Sequence, residues 1–156
     1  NGIIENYTEL KKYLIEKHDY QFQSETDTEV IVAYFQILKE KNETKQALQL
    51  LCEKLKGRYS FIILDITTQE LILARQGSPL IIGVPEDKSS IFIASDVPAF
   101  VKYTQNVIYL DDNQGAILKL ENQKKISQKE YQSKLETMNY TEKNKNVLST
   151  FLRIKN

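Results

Sequence analysis

One change of period constrains this chain more than any other feature. Up to Gly57 the apolar residues recur at the spacing of a helix; beyond it they recur every second residue or in unbroken runs. Leu10, Tyr13 and Leu14, with Ile4 ahead of them, predict a first helix from Asn6 to about Lys17. Asn6 and Glu9 form a capping-box-like start for it, and His18-Asp19 ends the pattern. Thr26 and Glu29 repeat the capping box, and Val30, Ala33, Tyr34, Ile37, Leu38 and Lys41 trace one face of a second helix. A third runs from a cap near Asn42 through Ala47, Leu48, Leu51, Cys52 and Leu55 to Gly57, read as its terminator.

Six strands are then expected: Tyr59 to Asp65, Glu70 to Arg75, Leu80 to Val84, Ile91 to Ser95, Val107 to Leu110 and Ala116 to Glu121. Their links, among them Thr67-Thr68-Gln69 and Gly77-Ser78-Pro79, are short enough for antiparallel pairing. Phe61-Ile62-Ile63-Leu64 is apolar on both faces, which predicts a sheet covered on each side. Three helices followed by six strands is an α+β order.

The 156 residues, 41% of them hydrophobic, suit one domain. With 21 basic and 21 acidic residues the net charge is zero, so nothing directs the chain to nucleic acid or to an anionic membrane. No apolar run reaches the length of a membrane span. The single cysteine, Cys52, rules out an intrachain disulfide and fits a reducing compartment, so a cytoplasmic location is expected. The first residue is asparagine with no signal-like segment ahead of it, and the start is expected to be either a truncation or the edge of a disordered stretch. From Asn122 to Asn156 the chain is rich in Lys, Gln, Asn and Glu and reads as a polar appendage or a linker.

Chemistry shows at two places. Asn1-Gly2 is turn chemistry, since both residues tolerate positive φ, but the helix start at Asn6 follows at once and sets the pair at that helix's mouth. A Gly2 amide beside an Asn1 carboxamide is one way of offering two donors to a developing oxyanion. Asp27 lies in the first turn of the second helix, where the dipole favours a carboxylate. His18, the only histidine, reads as a solvated residue at a helix C-terminus, and Cys52, on an apolar stripe, as a structural thiol. Ser78 reads as part of a turn, and Ser95-Asp96 as the cap of a short helical turn over Val97 to Tyr103.

Four runs in order, Asn1-Gly2-Ile3-Ile4-Glu5-Asn6-Tyr7, Ser24-Glu25-Thr26-Asp27-Thr28-Glu29-Val30, Gly77-Ser78-Pro79-Leu80-Ile81-Ile82-Gly83 and Ala94-Ser95-Asp96, resemble the glutaminase domain of the glutamine:fructose-6-phosphate aminotransferase family. The resemblance runs from residue 1 to about 120, so residues 1–121 are expected to be the C-terminal portion of that domain and 122–156 the appendage or the start of an interdomain linker. It implies part of an N-terminal nucleophile hydrolase fold, a four-layer αββα sandwich. It also implies a glutamine-dependent, isomerising aminotransferase as the full-length protein, in which an upstream N-terminal cysteine attacks the glutamine side-chain amide and ammonia passes to the sugar site. This chain alone lacks that nucleophile and is expected to be inactive. By the same resemblance Asn1 and Gly2 match the oxyanion hole, and Asp27 matches the residue that holds the α-amino group of glutamine. No metal and no cofactor are implied. The implied partners are glutamine, fructose 6-phosphate through isomerase domains not in this chain, and further copies in a homo-oligomer.

Two alternatives stay open: another class II amidotransferase such as the purine-pathway type, and a degenerate module that only binds a partner. The purine type carries Arg-Asp-Pro and Arg-Pro-Leu where this chain has Arg75-Gln76-Gly77-Ser78-Pro79-Leu80. The second helix departs from the family's pattern, with Ala33-Tyr34-Phe35 where a histidine often follows the alanine.

Overall fold

The computed structural model describes residues 1–87, 90–120 and 147–153. The elements are β1 (Gly2–Ile4), α1 (Tyr7–His18), α2 (Asp27–Lys39), α3 (Thr44–Lys54), β2 (Gly57–Asp65), β3 (Glu70–Gln76), β4 (Ile81–Gly83), β5 (Phe92–Ala94), β6 (Val107–Tyr109), β7 (Gln114–Leu120) and β8 (Val147–Arg153). A 3-10 turn spans Val97–Ala99 between β5 and β6. The strands form two sheets, one ordered β1-β2-β3-β7-β8 and one ordered β5-β4-β6, with every pairing antiparallel.

Alternation along the central strands builds the layers. Tyr59, Phe61 and Ile63 of β2, Ile72 and Ala74 of β3 and Ile117 of β7 enter one core with Leu10, Leu14, Val30, Ala33, Leu48 and Leu51 of the helices. The intervening Leu73, Ala116 and Leu118 meet Leu80, Ile82 and Leu110 in a second core between the sheets. Each side chain of this size that is fully buried contributes about 1.5 to 3 kcal/mol. The covering of both faces expected from the apolar runs therefore holds for β3 and β7. It fails at β2, where Ile62 is 47% exposed. The short strands of the second sheet leave this part of β2 uncovered.

Local readings at the helix ends need correction. Asn6 precedes α1 but makes no capping bond. Its carboxamide donates to the Lys54 carbonyl (2.9 Å) and accepts from the Lys56 N–H (2.9 Å), so it ties the start of α1 to the link between α3 and β2. Thr26 makes no side-chain cap either. Asn42 does not open α3, since its amide donates to Leu38 O (2.8 Å) at the end of α2. Gly57 is not a helix terminator: α3 ends at Lys54, and Gly57 begins β2. Its φ is +116°, and a Cβ there would lie 2.4 Å from Ile3 O, so glycine is needed for β1 to lie against β2.

Two strands escaped the sequence pattern. Gly2–Ile4 lies along β2 as an edge strand, in the registers Gly2 to Tyr59, Ile3 to Arg58 and Ile4 to Gly57. Val147–Arg153, read as part of the polar appendage, pairs with β7. The appendage residues 122–146 and 154–156 lie outside the described residues.

A polar knot closes the far end of the β2–β3 hairpin. Asp65 accepts from the N–H groups of Thr67 (2.9 Å) and Thr68 (3.2 Å) and faces Lys39 Nζ at 3.6 Å. Beside it the buried Glu70 carboxylate accepts from the hydroxyls of Thr44 (2.7 Å) and Thr68 (3.0 Å). Burial pushes the Asp65 carboxyl up, but the Thr68 and Thr67 hydrogen bonds and Lys39 outweigh it, and the carboxyl is held below its ordinary value. A lowered folded-state value means that this stabilisation is complete above the unfolded value of about 3.9 and is lost as pH falls through the folded value. Asp65→Asn is therefore expected to melt below the wild type at pH 7, with a gap that closes as pH falls below about 4. Melting curves across that range check this; a gap independent of pH would contradict it.

Candidate functional site

The site grows from the free edge of β1. The Asn1 nitrogen donates to Ser60 O (2.9 Å), and Ser60 N–H donates to Asn1 O (2.8 Å). Among the described residues no peptide bond is cis. In a trans peptide the N–H points opposite to the preceding carbonyl, so the Gly2 N–H projects away from β2. Two residues on, the Ile4 N–H projects from the same edge, and there Asp27 Oδ2 accepts it at 2.8 Å. Among the described residues the Gly2 N–H has no acceptor. The edge thus holds one free amide donor, and next along it a carboxylate anchored on the neighbouring amide.

Gly2 is held in a conformation that only glycine takes easily. Its φ is +94°, and a Cβ there would lie 1.9 Å from Arg58 O and 2.9 Å from Ser78 Oγ. β1 can approach β2 and the Gly77-Ser78 turn this closely because residue 2 has no side chain. Asn1 meanwhile lines a cleft of about 570 Å³ together with Arg75, Leu80, Asp96, Tyr109 and Leu110, between the two sheets.

Asp27 is half-buried at the first turn of α2, and its second oxygen lies 3.4 Å from the Thr28 hydroxyl. The loop ahead of it is set by Glu29, which reaches back past the helix start to accept from Gln23 N–H (2.8 Å), Ser24 N–H (2.7 Å) and the Ser24 hydroxyl (2.6 Å). These bonds, the Ser24 hydroxyl first, lower the Glu29 carboxyl below its usual range. Glu29 is thus a loop clamp rather than the capping-box partner of Thr26.

The structure gathers Asn1, Gly2 and Asp27 on one strand edge, keeps His18 and Cys52 away from it, and brings Asp96 and Ser78 close to it. His18 sits at the far end of α1, about 18 Å along the helix, against Tyr13 (Nε2 to hydroxyl 3.4 Å). Cys52 packs against the helical core, where burial pushes its thiol up to about 12, Tyr59's hydroxyl lowers it and Glu53 raises it. A thiol held there stays protonated at neutral pH and is a packing group. Asp96 Oδ1 caps the Val97 N–H (2.8 Å), as expected of it, but also lines the Asn1 cleft. Ser78 is buried beside Gly2. Arg75 and Tyr109 were not legible as site neighbours, because Arg75 reaches Asn1 across the sheet through Ser60, and only the packing of the second sheet brings Tyr109 there. Among the described residues no three His, Cys, Asp or Glu side chains stand where they could hold a metal ion, and no helix is long and apolar enough to cross a membrane.

The model of the glutamine amidotransferase domain family matches residues 1–102. The glutamine–fructose-6-phosphate aminotransferase (isomerizing) of Caldanaerobacter subterraneus is 43% identical over 120 residues, covering 76% of this chain and 19% of that protein. The enzyme of the same name from Aquifex aeolicus is 44% identical over 119 residues, again 76% of this chain and 19% of the relative. The chain therefore spans about a fifth of the length of the curated relatives it matches. Among solved structures, the glutamine phosphoribosylpyrophosphate amidotransferase from B. subtilis superposes with a TM-score of 0.61 at 31% identity, covering 75% of this chain and 25% of that one.

Proposed function

The chain belongs to the glutamine amidotransferase domain family, and from that premise we propose that it is the C-terminal portion of a glutaminase serving the synthesis of glucosamine 6-phosphate from fructose 6-phosphate. The fold is that of the N-terminal nucleophile hydrolase amidotransferases, and the described residues supply three layers of it: helices, sheet and sheet. The observation that carries the functional reading is the shared edge of β1, with the Gly2 N–H free and the Asp27 carboxylate seated two residues along. Amides two residues apart on a strand lie about 7 Å from each other. An extended glutamine covers that span, with its side-chain carbonyl at Gly2 and its ammonium at Asp27.

In this reading a thiolate from upstream of the segment attacks the glutamine carboxamide carbon, and the carbonyl oxygen gathers negative charge. The Gly2 N–H and the Asn1 carboxamide donate to that oxygen, as electrostatic stabilisation of a tetrahedral intermediate requires. The proton taken from the thiol is returned to the amide nitrogen, ammonia leaves, and water then releases glutamate from the thioester and restores the thiol. The segment itself supplies the donors and the ammonium site and none of the nucleophile. A cytoplasmic, homo-oligomeric full-length enzyme goes with this reading. The purine-pathway alternative is supported by the structural likeness to the phosphoribosylpyrophosphate enzyme, but 31% identity against 43% and the Gly77-Ser78-Pro79 turn favour the sugar enzyme.

Asp27 tests the assignment. Asp27→Asn keeps an oxygen for the Ile4 N–H but leaves the substrate ammonium without its counter-ion. A charge-assisted hydrogen bond contributes roughly 1.5 to 3 kcal/mol, so in the full-length protein KM for glutamine is expected to rise about tenfold to a hundredfold with the melting temperature nearly unchanged. A residue serving only α2 and β1 would leave KM where it was, and that result would remove Asp27 from the substrate site.

A further inference from the structure

We propose that Arg75 is a positioning residue for the oxyanion donors, a role that rests on the glutaminase reading above. Arg75 projects from β3 toward the second sheet with a quarter or less of its side chain exposed. Its guanidinium serves three acceptors at once: Nε donates to Ser78 O (2.8 Å), Nη1 donates to Leu110 O, and Nη2 faces Asp112 Oδ1 at 3.4 Å. Asp112 Oδ1 also accepts the Gly77 N–H at 2.7 Å, so the same ion pair holds both ends of the Gly77-Ser78 turn. Arg58 completes the clamp from β2, donating to Gly77 O at 2.9 Å.

These contacts form two walls of one cleft. The Ser78 side chain packs against Gly2, and Leu110 and Arg75 line the cleft into which Asn1 faces. The guanidinium is thus the tie between the turn behind Gly2 and the segment following β6. A planar fork with several fixed donors can hold two carbonyls and a carboxylate together, whereas an ammonium on a flexible stem cannot hold the same geometry. Releasing the tie lets the turn and Leu110 shift against β1. A displacement of about 1 Å at a catalytic group costs about a hundredfold in rate. Arg75 touches no substrate in this account, so its loss belongs in kcat.

The test is glutamate release from glutamine by the full-length protein in a cycle of wild type, Asn1→Ala, Arg75→Met and the double variant. Arg75→Met is expected to lower kcat by about 10- to 100-fold with KM for glutamine within about threefold, and Arg75→Lys to recover part of the loss. If Arg75 acts through Asn1 and its neighbour, the double variant falls no more than about threefold below the weaker single variant, because contacts in one network are not additive. A kcat for Arg75→Met within twofold of wild type, or losses that multiply in the double variant, would overturn the proposal. If Arg75→Met does not fold, the same cycle run with Asp112→Asn decides by the same criteria. A loss in Asn1→Ala without one in Arg75→Met sinks this proposal alone; an unaltered Asn1→Ala removes Asn1 from the oxyanion hole and this proposal with it, and a wild type that releases no glutamate sinks the glutaminase reading.

Discussion

Gly2→Ala lowers the melting temperature by roughly 10 °C, on a loss of about 3 kcal/mol converted at 2 to 4 °C per kcal/mol for a chain of this size. Two costs add. An L-residue at the Gly2 φ of +94° costs about 1 to 2 kcal/mol. The new Cβ, 1.9 Å from Arg58 O, also forces β1 off β2, and each bond lost from that ladder is worth about 1 kcal/mol. Ile3→Ala serves as the comparison, because that side chain is 65% exposed and its removal is expected to move stability by no more than about 0.5 kcal/mol. Differential scanning calorimetry of the two variants distinguishes them. A Gly2→Ala protein melting within 2 °C of wild type would mean that β1 does not lie along β2 as described.

The elements that the sequence declared were those whose own period settles the matter. β2 and β3 carry long apolar runs, and their boundaries fell within two residues of the expected ones. α2 carries a full helical stripe, and Val30, Ala33 and Tyr34 enter the core as that stripe requires. β1 was not legible because three residues cannot display alternation, and Asn-Gly satisfies turn chemistry as well as it satisfies an edge strand whose glycine meets a neighbouring carbonyl. The caps misled for a related reason. Asn6, Asn42 and Glu29 have the right types at the right spacing, yet each found a partner outside its own helix start, Asn6 across the chain at Lys54 and Lys56 and the other two in the preceding helix end or loop, and the type and spacing alone do not choose between such partners.

The site divides in the same way. Asn1, Gly2 and Asp27 were proposed through motif resemblance, and the structure adds that one strand edge brings them together through the Ile4 N–H. Ser78 was legible as part of a turn, but its place beside Gly2, like those of Arg75 and Asp112, was not, because it exists only after the 77–80 turn folds back on β2.

On the proposed glutaminase reading, the second large effect is catalytic. Asn1→Ala removes a side-chain donor from the edge of a cleft without touching the backbone pair that Asn1 forms with Ser60, so the fold is expected to stay intact. Loss of one oxyanion donor costs about 10² to 10³ in kcat, equivalent to about 3 to 4 kcal/mol of transition-state stabilisation. Glutamine binding is retained, because the donor is used fully only when charge develops on the oxygen, and such a residue lowers kcat and kcat/KM together.

Steady-state glutamate release by the full-length protein, wild type beside Asn1→Ala, is the most direct measurement. The glutaminase reading predicts glutamine turnover by the wild type and a fall in kcat of about a hundredfold or more in the variant, at an unchanged KM for glutamine. A wild-type protein that releases no glutamate would contradict the glutaminase reading, and an Asn1→Ala enzyme within tenfold of wild-type kcat would place Asn1 outside the oxyanion hole.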